Sequence, residues 1–305
     1  MGFPLRFHVL SLPNVTWNET LQRFQRMEAL GIEVGAIADH FVDWTNPPSP
    51  WFESWTLLAG LAVATETIRL TTCVAQIPLR NPAMHARQAL TLDHISHGRI
   101  EVGLGTGLTI DPSYAMAGLP NWDAGERVAR FGEYLEIVDR LLTDEVTTFH
   151  GEHYEVEGAF MNPRPVQSPR PPIMVGAMGP RMMRHAARRA DIWNSLSFEV
   201  AFADQIGETR GRCSQIDGFC TELGRDTATL RKSYTMFDAM ARANGGAISY
   251  YGSSGQFEEM VSTVIALGIS DVGLYYPLDP AQVSMFENVA TDVLPRLRAA
   301  HTDVG

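Results

Sequence analysis

A carboxylate, an imidazole and an aromatic ring follow one another at Asp39, His40 and Phe41. They come directly after an apolar, β-compatible run that extends from Glu33 to Ala38. A buried strand with this ending places polar groups at the edge of an apolar core, and an imidazole can exchange protons near neutral pH. The stretch alone leaves a second interpretation open, in which Asp39 caps the next element and His40 is a hydrogen-bonded surface histidine.

Other predicted strands also end in groups that could serve a ligand. Glycines at alternate positions of Gly103-Leu104-Gly105-Thr106-Gly107 let the backbone approach a flat molecule, although a tight turn alone would also use them. A dinucleotide fingerprint from Gly103 would need glycine at position 108, where the chain has Leu108, so we reject that interpretation. The remaining strand-end candidates are Ser11, Cys73-Val74-Ala75-Gln76 and Gly176-Ala177-Met178-Gly179.

The turn from Gly176 to Gly179 precedes Pro180, which opens a predicted helix. Free backbone amides at a helix start, together with the helix dipole, bind anions. Arg181 in the first turn could add a positive charge. We favour a phosphate site at this turn over an ordinary short loop.

Strands alternate with helices along the whole chain. The continuous apolar character of the strands predicts a parallel sheet that is covered on both faces. Eight such units in 305 residues predict a (β/α)8 TIM barrel that forms one domain over residues 1–305, with loop insertions at the carboxyl-terminal rim. The predicted strands are 5–10, 33–38, 68–75, 99–104, 173–176, 190–196, 230–237 and 271–276. The predicted helices are 16–31, 54–65, 81–95, 123–142, 179–189, within 199–223, 253–268 and from 279, and a hairpin is predicted over 146–156.

In such a barrel the carboxyl ends of all strands meet at one rim, where active sites form. The candidate turns therefore converge, which favours the functional interpretation of Asp39 and His40. Large apolar side chains in the loops after the second and fourth strands could form a shared pocket there instead of packing into the core. These side chains are Trp44, Trp51, Phe52, Met116 and Trp122.

The composition limits the partners of the chain. A net charge of −11 argues against nucleic acid or an anionic membrane as the main partner. The three cysteines are scattered, without a CxxC pair, which indicates a reducing compartment and neither a disulfide frame nor a zinc site. No signal-peptide pattern and no bilayer-length apolar run is present. We expect a cytoplasmic protein with a small-molecule partner and no metal, and a homodimer stays open.

Several motifs then give a specific resemblance. Along nearly all its length the chain resembles the bacterial-luciferase-like flavin and deazaflavin oxidoreductases. That family implies a (β/α)8 barrel with an isoalloxazine-type ring at the carboxyl-terminal rim. The matching segments are 55–59, 68–70, 80–83, 92–99, 103–107, 176–180 and 190–194.

Within the family, Asp39-His40-Phe41 with Trp44 resembles the branch that uses the deazaflavin coenzyme F420. The resemblance implies that His40 and Trp44 lie beside the reactive ring carbon and that Asp39 binds the cofactor. It also implies a non-prolyl cis peptide at Cys73-Val74. The further residues that it places near the cofactor are Cys73, Val74, Gln76, Thr106, Gly107, Gly176, Ala177, Met178, Gly179, Arg181 and Met182.

The chain departs from the sugar-phosphate dehydrogenases of that branch, which carry an acid directly after the Gly-Thr-Gly turn. Leu108 occupies this place, and the nearest acid is Asp111. We expect an F420-dependent oxidoreductase that moves a hydride to or from a small apolar or aromatic organic substrate, with His40 exchanging the proton. The alternatives are an FMN-dependent luciferase-like monooxygenase that uses reduced flavin and O2, and a non-catalytic flavin-binding relative.

Overall fold

The computed structural model describes residues 2–302, and eleven β-strands occur in this range. In chain order they are β1 (Arg6–Ser11), β2 (Val34–Ile37), β3 (Arg69–Thr72), β4 (Ala75–Gln76), β5 (Ile100–Gly105), β6 (Val146–His150), β7 (Glu155–Phe160), β8 (Ile173–Gly176), β9 (Ile192–Ser195), β10 (Arg231–Thr235) and β11 (Asp271–Tyr275). The strands β6 and β7 form an antiparallel hairpin, and the other nine form one parallel sheet.

The parallel sheet closes on itself. Its strand order is β3-β2-β1-β11-β10-β9-β8-β5-β4, and β3 also pairs with β5 through Leu70 and Ile100. The short strand β4 continues the barrel position of β3 after a cis peptide at Cys73-Val74, where the single strand predicted over 68–75 is interrupted. Eight barrel positions result, so the predicted (β/α)8 barrel is confirmed, and so is the predicted cis peptide.

Helices follow the barrel strands. In chain order they are α1 (Trp17–Ala29), α2 (Ser54–Ala64), α3 (Pro82–Ile95), α4 (Ser113–Met116), α5 (Ala124–Thr143), α6 (Pro180–Arg189), α7 (Phe202–Glu222), α8 (Ala239–Asn244), α9 (Ser254–Ile265), α10 (Val283–Asn288) and α11 (Leu294–Thr302). Side-chain caps mark two of the predicted helix starts: Thr16 accepts from the backbone N–H of Glu19, and Asn81 accepts from those of Ala83 and Met84.

Two short helices, α4 and α8, lie in segments for which the sequence pattern predicts neither a helix nor a strand. They follow β5 and β10 and form part of the rim insertions. The hairpin is also longer than predicted, because β7 continues to Phe160. Each of these short elements has too few residues for an apolar periodicity to develop.

The packing of α1 against the barrel explains the glycine in β2. All four residues of β2 are buried. A Cβ atom at Gly35 would overlap the ring of Phe24, which α1 packs against this strand. The glycine therefore lets helix and strand approach closely, and β2 can deliver the chain directly to Asp39 and His40 at its carboxyl end.

The amino-terminal end of the barrel is closed by buried ion pairs. Arg6 lies 2.6 Å from Glu101 and 2.7 Å from Asp271, and Arg69 lies 2.6 Å from the same Glu101 oxygen. Both carboxylates are almost fully buried, so the arginines compensate charges that would otherwise be costly. Within residues 2–302, no helix combines the length and apolar character that crossing a membrane requires.

Candidate active site

A cavity of about 180 Å³ lies at the carboxyl ends of the barrel strands. Ten of the fourteen predicted site residues line it, which confirms that the candidate strand ends converge. These ten residues are His40, Trp44, Cys73, Val74, Gln76, Thr106, Gly107, Gly176, Ala177 and Met178.

The other four predicted site residues lie outside the cavity lining. Gly179 and Arg181 are exposed at the start of α6, next to the cavity residue Met178. Met182 is buried on the same helix, and Asp39 is buried behind the end of β2. Gly179 has open space where a Cβ atom would stand. The start of α6 is therefore accessible to the part of a bound ligand that extends out of the cavity.

Asp39 is engaged by protein groups on both carboxylate oxygens. Arg80 approaches Oδ2 to 2.5 Å and Oδ1 to 3.0 Å, and the hydroxyl of Ser54 donates to Oδ1 at 2.6 Å. Burial alone would raise the pKa of Asp39, but the charge and hydrogen bonds of Arg80 hold it below its ordinary value. The structure therefore places Asp39 behind the strand end, where it does not line the cavity as the sequence analysis expected of a cofactor ligand.

His40 is held by a carboxylate that comes from another loop. Its Nδ1 atom lies 2.6 Å from Oδ2 of Asp111, and its side chain is 18% exposed while that of Asp111 is 1% exposed. Burial would raise the pKa of Asp111, but the hydrogen bond and charge of His40 lower it to about 2. Because an ionised carboxylate only accepts, Nδ1 donates to Asp111. Nε2 of Gln76 also lies 2.8 Å from Nδ1, and it directs its two hydrogens to the backbone oxygen of Asp39 and to Asp111. Within the described residues Nε2 of His40 has no hydrogen-bond partner, and it is the nitrogen available for chemistry.

Asp111 reaches this position through the insertion that contains α4. Its Oδ1 accepts from the backbone N–H of Ser113 at 2.8 Å, and the hydroxyl of Ser113 accepts from the backbone N–H of Phe41 at 3.1 Å. The insertion is thus fastened to the residue that follows His40. The sequence carried a signal for this turn, because Asp111-Pro112 repeats the polar cap and proline that Asn81-Pro82 shows at the start of α3.

An amide and a phenol support the pair of His40 and Asp111. The Nε2 group of Gln76 donates to the backbone oxygen of Asp39 at 2.6 Å and to Asp111 at 3.1 Å. The hydroxyl of Tyr114 donates to Oε1 of Gln76. Burial raises the pKa of Tyr114 to about 12, so this hydroxyl keeps its proton and stays a donor at neutral pH. Each polar atom of the Gln76 amide is therefore satisfied in one orientation.

Arg127 links this network to the glycine-rich end of β5. Its Nη1 atom donates to the backbone oxygen of Thr106 at 2.7 Å, and its guanidinium lies 4.6 Å from the ring centroid of Tyr114. The side chain is 2% exposed although it belongs to α5. Sequence analysis missed both Tyr114 and Arg127, since a helical arginine is ordinarily a surface residue.

Aromatic side chains form one wall of the cavity, only partly as predicted. Trp44 and Trp51 line it, and the rings of Trp51 and His40 meet edge to face with centroids 5.8 Å apart. Phe52 and Met116 are instead 41% and 54% exposed and do not line the cavity, and neither does Trp122. Phe198 and Phe237, which follow β9 and β10, complete the wall. They obey the same strand-end rule but were not selected from the sequence.

One permanent cation lines the described cavity, and it is already paired. The Nη2 atom of Arg242 on α8 lies 2.6 Å from Oδ1 of Asp43, which follows His40 by three residues. Both side chains are at least nine-tenths buried. The pair joins two rim loops and leaves the cavity without an uncompensated arginine charge.

The backbone of β5 and β8 forms the flat side of the cavity. A Cβ atom at Gly176 would stand 3.2 Å from Cγ2 of Val74, and one at Gly107 would meet the hydroxyl of Tyr114. Gly107 also has a φ of 71°, which disfavours other residues. The glycines thus keep open a space that side chains would fill.

The fold and the cavity define the protein as a (β/α)8 barrel with a ligand cavity at the carboxyl ends of its strands. The family model for luciferase-like monooxygenases matches residues 3–212, which is more than half of the chain. The chain belongs to this family.

A curated relative is the F420-dependent glucose-6-phosphate dehydrogenase of Intrasporangium calvum. The two sequences are 34% identical over 194 residues, which make up 62% of this chain and 57% of the relative. The chain thus spans little more than half the length of this relative.

Solved structures with the same fold include enzymes of two kinds. The coenzyme F420-dependent tetrahydromethanopterin reductase of Methanopyrus kandleri has 18% identity and a TM-score of 0.79, covering 96% of this chain and 99% of that one. A monooxygenase of Streptomyces bottropensis has 21% identity and a TM-score of 0.78, covering 96% of this chain and 100% of that one. At these identities the two comparisons establish the fold.

Proposed function

We propose that this chain is a coenzyme F420-dependent oxidoreductase that transfers a hydride between the deazaflavin and a small, uncharged, largely apolar organic substrate. The observation that carries the proposal is the pair of His40 and Asp111 in a cavity that Trp44 also lines. The 34% identity to a relative named for its use of F420 supports the choice of cofactor.

The residues around the cavity fit a flat cofactor with an anionic extension. Gly105 and Gly176 keep side chains out of the space beside Val74, and Gly107 lets the chain pass close to Tyr114 and Gln76. The open backbone at Gly179 lies at the start of α6, where amide groups favour a phosphate. When bound, the deazaflavin supplies or accepts the hydride, while the protein supplies position and electrostatics. The residues that would hold it are Cys73, Val74, Gln76, Thr106, Gly107, Gly176, Ala177, Met178, Gly179, Arg181 and Met182.

His40 is the acid or base in this proposal. Asp111 binds the Nδ1 hydrogen, so that Nε2 can take the proton from a substrate hydroxyl or return it to a carbonyl oxygen in the opposite direction. The carboxylate also stabilises the positive charge that His40 acquires when Nε2 takes the proton. Gln76 orients Asp111, and Trp44 supplies an apolar surface that excludes water. Asp39 serves a positioning role through its hydrogen bonds behind the strand end.

The cavity wall favours an uncharged substrate. Trp51, Phe198 and Phe237 are apolar, and the charge of Arg242 is compensated by Asp43 at 2.6 Å. A sugar phosphate would bring two negative charges to a wall without a free cation, at a high desolvation cost. The chain therefore differs from its glucose-6-phosphate dehydrogenase relative in the substrate that it accepts.

An anaerobic assay tests this function. The protein is mixed with oxidised F420, and the loss of cofactor absorbance is followed with a panel of small secondary alcohols and with glucose 6-phosphate. We expect reduction of F420 with one or more apolar alcohols and none with the sugar phosphate. Faster turnover of glucose 6-phosphate than of every alcohol would contradict the proposed substrate class. His94→Ala, at the opposite end of the barrel from the cavity, serves as the control variant.

We also propose that the chain acts as one domain. Apart from the β6–β7 hairpin, the strands from Arg6 to Tyr275 belong to the same closed sheet, so no part of the barrel can unfold without opening it. A single transition in urea, seen equally by fluorescence and by circular dichroism, is the expected result. Two separated transitions would contradict it.

A further inference from the structure

His8 is a buried histidine inside the barrel that the proposed chemistry does not use. It lies in the middle of β1 and is 2% exposed. Its Nδ1 atom is 2.7 Å from Oδ1 of Asp271, and its Nε2 atom is 3.2 Å from the hydroxyl of Thr235. A Cβ atom at Gly273 would overlap the imidazole, so the barrel interior is shaped around this ring. Both nitrogens of His8 therefore have fixed partners.

The contacts of His8 continue upward to the cavity. The hydroxyl oxygen of Thr235 accepts from Nδ2 of Asn194 at 3.1 Å and lies 3.8 Å from the sulfur of Cys73. Both Cys73 and Asn194 line the cavity. Thr235 thus bridges His8 to the cavity floor, which we define as Cys73 and Asn194, and Cys73 also interacts with His8 directly.

Charged groups surround His8 from below. Asp271 is shared between His8 and Arg6, and the second carboxylate of the cluster, Glu101, is shared between Arg6 and Arg69. Burial of His8 by itself lowers its pKa, but the charge and hydrogen bond of Asp271, followed by those of Cys73, raise it to about 10. With an acceptor facing each ring nitrogen, this environment favours the imidazolium form of His8 at neutral pH.

The cluster then holds more positive than negative charge. Its cations are His8, Arg6, Arg69, Arg231 and Arg298, and its anions are Asp271, Glu101 and Glu33, which acts on Arg231 and pairs with Arg298. On the cavity side the titratable groups that face His8 are Cys73 and, on β11 beside Cys73, Tyr275. Burial raises the pKa of Tyr275, so this phenol stays neutral and does not offset the positive charge at neutral pH.

The hydrogen bonds carry this polarity to the floor. Thr235 accepts from His8 and from Asn194, so its own hydrogen is directed to Cys73. A ligand atom at the floor therefore lies close above a buried cation whose field is weakly screened.

We propose that His8, as a buried cation, makes the cavity floor an electropositive site that favours the ionised form of a chromophore bound in the cavity. The inference rests on the proposed function because it takes the bound chromophore to be the deazaflavin of F420. The chromophore's hydroxyl ionises in water, and a nearby cation lowers the pH at which this happens.

The test is a pH titration of the absorbance of oxidised F420 bound to the protein. In His8→Gln the cation is removed while an amide donor stays, and we expect the ionisation midpoint of bound F420 to rise by roughly one pH unit relative to the wild type. Thr235→Val keeps the cation but breaks the hydrogen-bond relay, and a smaller rise in the same direction is expected. His94→Gln, remote from the cavity, should leave the midpoint unchanged. An unchanged midpoint in a folded His8→Gln protein, or in Thr235→Val if His8→Gln does not fold, overturns the inference.

A second measurement separates this inference from the choice of cofactor. Nitrogen NMR of wild-type protein labelled at histidine reports the protonation of His8 without any ligand, and we expect an imidazolium at pH 8. A neutral His8 at that pH overturns the inference even if F420 binds. If F420 does not bind the wild type, the proposed function fails, and the same absorbance titration with FMN, whose ring N3–H also ionises, then decides the effect of His8.

Discussion

Nδ1 of His40 lies 2.6 Å from Oδ2 of Asp111, although 71 positions separate the two residues in the chain. The contact joins the end of β2 to the insertion after β5, and it leaves Nε2 of His40 as the available ring nitrogen. Because the carboxylate is 1% exposed, it acts in a poorly solvated environment where its influence on the imidazole is strong. The first two predictions follow from this pair.

Asp111→Asn should lower turnover by roughly 10- to 10³-fold, because a neutral amide cannot stabilise the protonated imidazole. Asparagine can still accept from the backbone of Ser113, so the turn and the F420 affinity should be retained, the affinity within about twofold. Steady-state kinetics and fluorescence titration check both points. Asp226→Asn is the matched control, since Asp226 also accepts from a backbone N–H two residues ahead but lies outside the cavity.

The same carboxylate should contribute to stability in a defined pH range. Its pKa is lowered in the folded protein from 3.8 to about 2, so its contribution is complete above pH 4 and is lost as the pH falls through 2. With solvent screening allowed for, the shift corresponds to roughly 1–2 kcal/mol of unfolding free energy. Urea unfolding of wild type and Asp111→Asn should differ by about this amount at pH 6 and converge toward pH 2. A gap that stays constant with pH would contradict the assignment.

His40→Ala should keep cofactor binding and lower turnover by about 10²- to 10⁴-fold, the range for losing a positioned acid or base. Because the variant lacks the imidazole, its pH–rate profile should also lose the limb that comes from protonation of His40. A His40→Ala protein with wild-type turnover and pH dependence would return His40 to a structural role. His94→Ala tests whether loss of any histidine has such an effect.

Asp39→Ala should act on stability first. Removing one partner of a buried ion pair typically costs about 3–5 kcal/mol. Arg80 binds both oxygens of Asp39, and without them its remaining counter-charge is the exposed Glu53 at 3.1 Å. Denaturant unfolding of the two single variants and the double variant Asp39→Ala/Arg80→Ala should show strong coupling. Additive losses would indicate that the pair is not what holds this strand end.

Gly179→Val should weaken F420 binding by about an order of magnitude or more while the fold survives. The Cβ position at Gly179 is free of protein atoms, so valine fits the apo protein and obstructs only a ligand group at the start of α6. Gly255→Val is the matched control, because Gly255 also lies near a helix start with open space at Cβ and belongs to α9. Equal affinities in the two variants would place the anionic extension of the cofactor elsewhere.

The local signals in the sequence predicted most of the barrel. Thr16, Asn81 and Asp123 cap helices at the predicted helix starts, because a cap depends only on residues within one turn. The strand ends at His40 and at Gly176 converge because a parallel barrel brings all carboxyl ends to one rim. This topological rule needed no knowledge of individual contacts.

The partners of the site residues could not be predicted in the same way. The resemblance to the F420 branch implies that Asp39 binds the cofactor, whereas in the structure Arg80 and Ser54 bind its oxygens. Asp111 looked like a displaced acid, yet it binds His40 across 71 positions. Such pairings depend on how loops pack in three dimensions, which residue types and spacing within one chain segment do not determine.

The central claim is the choice of F420, and a binding titration tests it most directly. Purified protein is titrated with oxidised F420 and, separately, with FMN, and the fluorescence of each cofactor is followed. We expect F420 to bind at least about tenfold more tightly than FMN, a difference of about 1.4 kcal/mol in binding free energy. Equal affinities, or protein that purifies with FMN already bound, would contradict the assignment to a deazaflavin-dependent oxidoreductase.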